Sequence, residues 1–248
     1  MSGHSHYATI KRQKEANDSQ RGKIFSKYAR EIAIAVREGG GADPEFNYKL
    51  RMVIDKARAF NMPKDNIDRA ISRGKGSEVL EKVVYEGFAP GGVAVMVEVA
   101  TDNRNRTSQE IKNLFDRVGG SLAGPGSVSF NFENKGLLVI QNAADKDAQM
   151  LKLIDLGVEE IDETEDGIEA YVMPEKLMEI KKKLEEAGMT VSSAELWSKP
   201  KNFQTVSNPK EAAKIMAFLD ELEEHDDVQK VFANLDIPDE IVKQIKTS

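Results

Sequence analysis

Val83-Val84-Tyr85-Glu86-Gly87-Phe88-Ala89-Pro90-Gly91-Gly92-Val93-Ala94-Val95-Met96-Val97-Glu98-Val99 is the stretch on which the fold turns. On both sides of Pro90-Gly91-Gly92 the β-branched and aromatic residues follow a two-residue period, which sends alternate side chains to one face of a strand. The Pro-Gly-Gly supplies the reversal, so the stretch predicts a β-hairpin. Upstream the apolar period is 3.6. Ile24, Phe25, Tyr28, Ile32, Ala35 and Val36 recur at helical spacing until Gly39-Gly40-Gly41 stops them. Asp43 as N-cap and Pro44 at the first helical position predict a second helix, with Phe46, Leu50, Val53, Ile54 and Ala57 on its stripe. Asn61-Met62-Pro63 breaks that helix and starts a third one carrying Ile67, Ala70 and Ile71, which Gly74 and Gly76 close.

Downstream of the hairpin, Thr107 with Glu110 three residues later reads as a capping box for a helix through Ile111, Leu114, Phe115 and Val118. Val128-Ser129-Phe130-Asn131-Phe132 alternates as a third strand. Between Lys135 and Trp197 the order is strand 137–140, helix 145–156, strands 158–161 and 168–172, helix 174–187 and strand 190–196. That βαββαβ series is the ferredoxin-like arrangement. A last helix, 209–224, and a strand, 228–233, are too small to bury their own apolar faces and are expected to rejoin the hairpin. The expected fold is α+β in three domains. Residues 1–77 form a basic helical bundle, 78–133 plus 204–248 a discontinuous ferredoxin-like α/β sandwich, and 134–203 a second such sandwich inserted into the first.

The 248 residues contain no Cys, which excludes disulfides, thiolate nucleophiles and iron-sulfur sites. No apolar run is long enough for a membrane span and the polar, basic start lacks the apolar segment of a signal peptide, so a cytoplasmic protein without membrane partners is expected. The net charge of -7 hides two segments of opposite sign: residues 1–77 hold 16 Lys and Arg against 9 Asp and Glu, and 78–248 hold 19 against 33. One end is suited to a polyanion. The bland alternative is that the basic and acidic parts attract each other within the molecule.

An enzyme needs a nucleophile with its base, a metal cluster or a phosphate loop, and the sequence offers no such motif. No catalytic residues, metal or cofactor are expected. Asp162, Glu163, Glu165 and Asp166 fall in a tight turn where solvated charge is ordinary, and His225 among Glu223, Glu224, Asp226 and Asp227 reads as an exposed helix-end histidine. With Met1 removed, Ser2-Gly3-His4 would offer a square-planar ligand set for Cu(II) or Ni(II), read here as accidental affinity. The nucleic-acid signal is stronger. Lys11, Lys14, Arg21, Lys23, Lys27 and Arg30 crowd the start of the chain, the last three at helical spacing, with Tyr7 and Tyr28 as stacking surfaces. Thr101-Asp102-Asn103-Arg104-Asn105-Arg106-Thr107 sets Arg104, Arg106 and two Asn at the start of a helix, donors that suit phosphate or base edges. Its alternative is capping.

These segments also carry a resemblance. Gly3-His4-Ser5, Arg21-Gly22-Lys23-Ile24-Phe25, Arg37-Glu38-Gly39-Gly40, Asn61-Met62-Pro63-Lys64-Asp65-Asn66-Ile67, Tyr85-Glu86-Gly87, Pro90-Gly91-Gly92-Val93-Ala94 and Thr101 to Thr107 together resemble the YebC/PmpR family, which includes the mitochondrial translational activator of cytochrome c oxidase. The chain departs where members carry Lys and Trp and it has His6 and Tyr7. The resemblance implies three domains and a non-enzymatic regulator of gene expression, and it adds Lys64 to the candidate contacts. Members are labelled probable transcriptional regulatory proteins that bind promoter DNA, while others look like ribosome-associated factors that ease synthesis of proline-rich stretches. Implied partners are promoter DNA or ribosomal RNA, with the ribosome or RNA polymerase, and a monomer or weak oligomer is expected. The alternative of another class is a small-molecule sensor or enzyme, which ferredoxin-like domains also support.

Overall fold

The computed structural model describes residues 4–6, 21–76, 80–164 and 167–247. They belong to two compact units, 1–131 with 200–248, and 132–199. The fold is α+β.

The first unit opens with a short strand, β1 (His4–His6), and three helices, α1 (Arg21–Glu38), α2 (Tyr48–Ala59) and α3 (Lys64–Lys75). Their apolar stripes meet in a core of Ile32, Val36, Leu50, Ile54, Ala57 and Ile67, and Tyr28 packs beside Phe60 at a ring distance of 5.5 Å. The cap of α2 is not Asp43 but Asn47, whose Oδ1 accepts the Leu50 N–H at 3.0 Å. The Asn47 amide donates to the Ala35 and Gly41 carbonyls at 2.7 Å, which ties the helix start to the end of α1. Asp43 instead accepts the Glu45 N–H within the preceding turn, and that turn leaves Phe46 86% exposed, off the expected stripe.

Gly74 likewise does not stop α3. It lies inside the helix, where a Cβ would stand 2.8 Å from the Ala33 carbonyl oxygen and 2.8 Å from the Val36 Cβ. Its role is close helix packing. Gly→Ala inside a helix ordinarily stabilises by about 0.5–1 kcal/mol. Here the sign reverses, and Gly74→Ala is expected to destabilise by about 1–3 kcal/mol through the clash, read as a fall in thermal midpoint.

The hairpin follows as β2 (Glu81–Ala89) and β3 (Val93–Thr101), in antiparallel register from Glu81 opposite Thr101 to Ala89 opposite Val93. Helix α4 (Arg104–Val118) starts at Arg104, capped by Asn103, whose side chain accepts the Arg106 N–H at 3.1 Å. Thr107 is therefore no cap; it lies one turn in, with a buried hydroxyl. The third strand is β4 (Ser121–Ala123), paired to β2 through Gly87 and Leu122, and not residues 128–132. Those residues are held off the ladder because the buried Glu86 carboxylate accepts the N–H groups of Gly126, Val128 and Ser129 at 2.8, 2.7 and 2.9 Å. A 3₁₀ turn at Ser129–Asn131 results, and Phe130 is exposed.

The second unit runs β5 (Phe132–Ile140), α5 (Lys146–Asp155), β6 (Glu160–Thr164), β7 (Gly167–Val172), α6 (Leu177–Glu186) and β8 (Val191–Pro200). Its sheet order, β6-β7-β5-β8, places the first and third strands of the βαββαβ series side by side in the centre. Leu138, Ile140, Leu153, Ile168, Leu177 and Leu184 are buried in this unit. Lys199 pairs with Glu160 at 2.6 Å and Asp162 at 3.3 Å, and its ammonium sits 3.8 Å from the centre of the Tyr171 ring.

The chain then returns to the first unit as β9 (Gln204–Thr205), α7 (Pro209–Glu224), β10 (Val228–Ala233), β11 (Leu235–Pro238) and α8 (Asp239–Thr247). Strand β10 pairs with β3, Val231 opposite Val97, so the C-terminal strand does join the hairpin. This sheet, β10-β3-β2-β4, has a strand order and a ββαβ…αβ connectivity of its own. Helices α4 and α7 meet through Phe115 and Phe218, edge to face at 4.9 Å. A small third sheet joins β1 antiparallel and β9 parallel to β11. Among the described residues no helix is long and apolar enough to cross a membrane.

Candidate nucleic-acid interface

The spacing of Lys23, Lys27 and Arg30 along α1 puts them on one side of the helix. Two of the three are already engaged within the molecule. Lys27 Nζ donates to the Glu223 carbonyl in the last turn of α7, a helix end whose carbonyls lack intrahelical partners and which attracts positive charge. Arg30 donates to the Asp226 carbonyl and pairs with the Asp227 carboxylate at 3.0 Å. Attraction between the basic and acidic parts of the chain is thus realised here.

Asp227 is the centre of the arrangement. Its side chain is 4% exposed; Oδ2 accepts from Arg106 at 2.6 Å and from the Thr107 hydroxyl at 2.6 Å, while Oδ1 faces Arg30. Its backbone carbonyl accepts the Ala100 N–H at 2.8 Å, which fixes the turn between α7 and β10 to the end of β3. Thr101 and Thr107 share a hydroxyl–hydroxyl bond of 2.8 Å beside it. Burial pushes the Asp227 carboxyl upward, but the hydrogen bonds from Thr107 and Arg106, with the charge of Arg30, outweigh it and hold the group below its ordinary value.

Arg106 also meets Asp102 at 3.1 Å and Glu110 at 3.8 Å. His225 is not the exposed histidine expected: its Nε2 lies 3.0 Å from Glu110 Oε2 and its Nδ1 accepts the Asp227 N–H at 3.1 Å. Glu110, His225 and Asp227 bring ligand atoms within 4.8 Å of one another, a spacing a cation could use. The positive charge at that point is supplied by Arg106 and Arg30, and the His225 Nδ1 lone pair is taken by a backbone donor, so the set is organised as a hydrogen-bond network.

The other candidates are placed differently. Lys23, Lys64 and Arg104 are exposed, and none of them forms a salt bridge with another described residue. Arg104 stands at the first position of α4, its carbonyl accepting the Tyr85 hydroxyl at 3.2 Å. Arg21 is the first residue of α1; Lys11, Lys14, Tyr7 and the Ser2-Gly3 portion of the terminal metal motif lie outside the described residues.

Two family models cover nearly all of the chain: the TACO1/YebC protein N-terminal domain matches residues 5–77 and the TACO1/YebC second and third domain matches residues 80–235. The chain belongs to the TACO1/YebC family. A relative from Thermotoga petrophila is 49% identical over 250 residues, covering 99% of this chain and 98% of its own, and one from Syntrophomonas wolfei is 44% identical over 248 residues, covering 98% and 99%. Both are named "Probable transcriptional regulatory protein". The crystal structure of a conserved hypothetical protein from Aquifex aeolicus superposes with a TM-score of 0.86 at 44% identity, over 94% of this chain and 98% of that one.

In this TACO1/YebC chain the contacts of Lys27 and Arg30 with residues 223–227 join the segment matched by the N-terminal model to the segment matched by the other. Asp227 escaped sequence reading because nothing in a run of surface-like acids marks the one that will be buried, and Glu110 was read only as a capping-box partner of Thr107. A weak signal existed: Asp227 opens directly onto the apolar strand Val228–Ala233, where an unpaired carboxylate is unfavourable.

Proposed function

We propose that this chain is a non-enzymatic, nucleic-acid-binding regulator of gene expression that meets phosphate backbone through α1 and the first turn of α4. One observation carries the reading. The first turns of both α1 and α4 hold no acidic residue and instead bear Arg21 and Lys23, and Arg104 and Arg106, at the end of a helix where the backbone dipole already disfavours cations. Arg106 is paired with Asp227, Asp102 and Glu110, but Lys23 and Arg104 stand exposed with their charge set against local stability, which supports a polyanionic partner. Exposed Lys23, Lys64 and Arg104 are the contacts open to a ligand among the described residues, and Lys11, Lys14, Arg21, Lys27, Arg30 and Arg106 are the further candidates. The names of the relatives support transcriptional regulation, and promoter DNA is the polyanion this reading assigns to it.

A second reading, translational activation on ribosomal RNA that eases proline-rich synthesis, is favoured by the state of the 101–107 loop. Asn103 is taken up in capping and Thr107 in the Asp227 contact, which leaves few side chains for base edges and favours recognition of backbone and shape. The deciding experiment is crosslinking in cells followed by sequencing of all bound RNA and DNA. Discrete promoter peaks support the first reading and large-subunit ribosomal RNA the second; no enrichment of either above a tag-only control refutes both. In vitro, Lys23→Ala/Lys64→Ala/Arg104→Ala is expected to weaken binding about 10- to 100-fold and to flatten the salt dependence by about two to three units of log K per log salt.

A further inference from the structure

Arg106 faces three carboxylates, Asp227 at 2.6 Å, Asp102 at 3.1 Å and Glu110 at 3.8 Å, and Asp227 also holds Arg30 at 3.0 Å. Three acids thus face two arginines, both of which the nucleic-acid reading assigns to phosphate contact. The acids are of two kinds. Asp227 is buried and anchored by Thr107, whereas the side chains of Asp102 and Glu110 are 70% and 45% exposed. Exposed ion pairs contribute about 0–1 kcal/mol, so neither outer acid is needed to hold Arg106 in place. Their effect falls on the field around Arg106, which they cancel on its solvent side.

We propose that Asp102 and Glu110 are a built-in competitor for phosphate, which keeps the free chain self-neutralised at Arg106 until a ligand of high phosphate density displaces them. The proposal rests on the nucleic-acid reading above and adds a regulation of that same surface. The exchange needs no unfolding. Arg106 Nη2 bonds both Asp227 at 2.6 Å and Asp102 at 3.1 Å while Nε faces Glu110, so one Nη2 hydrogen stays on Asp227 as the other and the Nε–H turn to the ligand. A guanidinium offers five donors in a planar fork, enough to hold a carboxylate and a phosphate together. Both carboxylates are largely open to solvent and lose little on release, Glu110 keeping its 3.0 Å contact with His225 Nε2. A duplex, with its closely spaced phosphates and condensed counterions, gains enough to displace them, and a mononucleotide does not.

The test uses the full chain and a mixed-sequence RNA duplex of about 20 base pairs, with binding followed by fluorescence anisotropy across a salt series. Asp102→Asn/Glu110→Gln is compared with Glu185→Gln/Glu186→Gln, which removes the same charge from exposed positions on α6. The first variant is expected to bind about tenfold tighter than wild type with a salt slope steeper by about one unit, and the second to stay within about twofold. Equal affinities of the two variants overturn the competitor proposal. If they are equal while Lys23→Ala/Lys64→Ala/Arg104→Ala still loses binding, the nucleic-acid reading stands without it. If neither wild type nor Asp102→Asn/Glu110→Gln binds the duplex, the competitor proposal is overturned, and the nucleic-acid reading is decided by the crosslinking experiment.

Discussion

Glu86→Ala is expected to lose about 3–5 kcal/mol of folding stability, seen as a large drop in urea midpoint. The Glu86 side chain lies in a buried residue of β2 and accepts three backbone N–H bonds, from Gly126 at 2.8 Å, Val128 at 2.7 Å and Ser129 at 2.9 Å. An unsatisfied buried donor costs about 1–3 kcal/mol, and hydrogen bonds to a charged acceptor lie at the upper end. Water reaches Gly126 and Ser129 in part, which keeps the total below the sum of three full penalties. Glu86→Gln separates shape from charge. It preserves the volume but turns one acceptor oxygen into an NH₂ that opposes the N–H groups of Val128 and Ser129 or of Gly126, so about half the loss is expected. Burial pushes the Glu86 carboxyl up, yet the three backbone donors with Ser129 hold it below its ordinary value. The stabilisation is therefore complete above the unfolded-state value near ~4 and is lost as pH falls through the lower folded one. Wild type and Glu86→Ala should converge in stability on acidification.

The elements that were legible in the sequence are those set by apolar periodicity. The switch from a 3.6 to a 2 period at Val83 located the hairpin, and the βαββαβ series of the second unit needed only strand and helix patterns; that Asp145 caps its first helix is seen in the structure. Misreadings occur where a side chain bonds to distant backbone. Asn47 displaced Asp43 as cap because it reaches Ala35, twelve residues back, and Glu86 turned residues 126–129 out of the sheet from forty residues away. The small sheet of β1, β9 and β11 and helix α8 were missed, since two- to four-residue strands carry too few positions for a period and their partners lie far apart in sequence. At the candidate site the basic spacing of α1 was readable. That Lys27 and Arg30 dock onto residues 223–227, 196 positions away, was not.

Asp227→Ala is expected to remove about 3 kcal/mol and to loosen α1 from the turn it docks on. The substitution takes the acceptor from the Thr107 hydroxyl, which is fully buried, and from two guanidinium groups that share its two oxygens. Breaking a buried ion pair by deleting one partner costs about 3–5 kcal/mol, and the partial exposure of Arg30 and Arg106 puts this case at the lower bound. Arg30 and Arg106 are then left facing each other without their shared anion, so repulsion adds to lost bonding. Because the folded-state pKa of Asp227 lies below the ordinary aspartate value, its contribution is present in full at neutral pH and disappears as pH falls through ~4 toward that lower value. The urea midpoints of wild type and Asp227→Ala should differ most near pH 7 and draw together below about pH 4. Hydrogen exchange separates this from general loosening of the fold. With Arg30 released, amide protection should fall in α1 and in the 225–228 turn, while the β2–β3 hairpin, whose bonds do not involve Asp227 beyond Ala100, keeps its own. Uniform loss of protection across the first unit would instead make Asp227 a core residue of that unit and not the clasp between α1 and the turn.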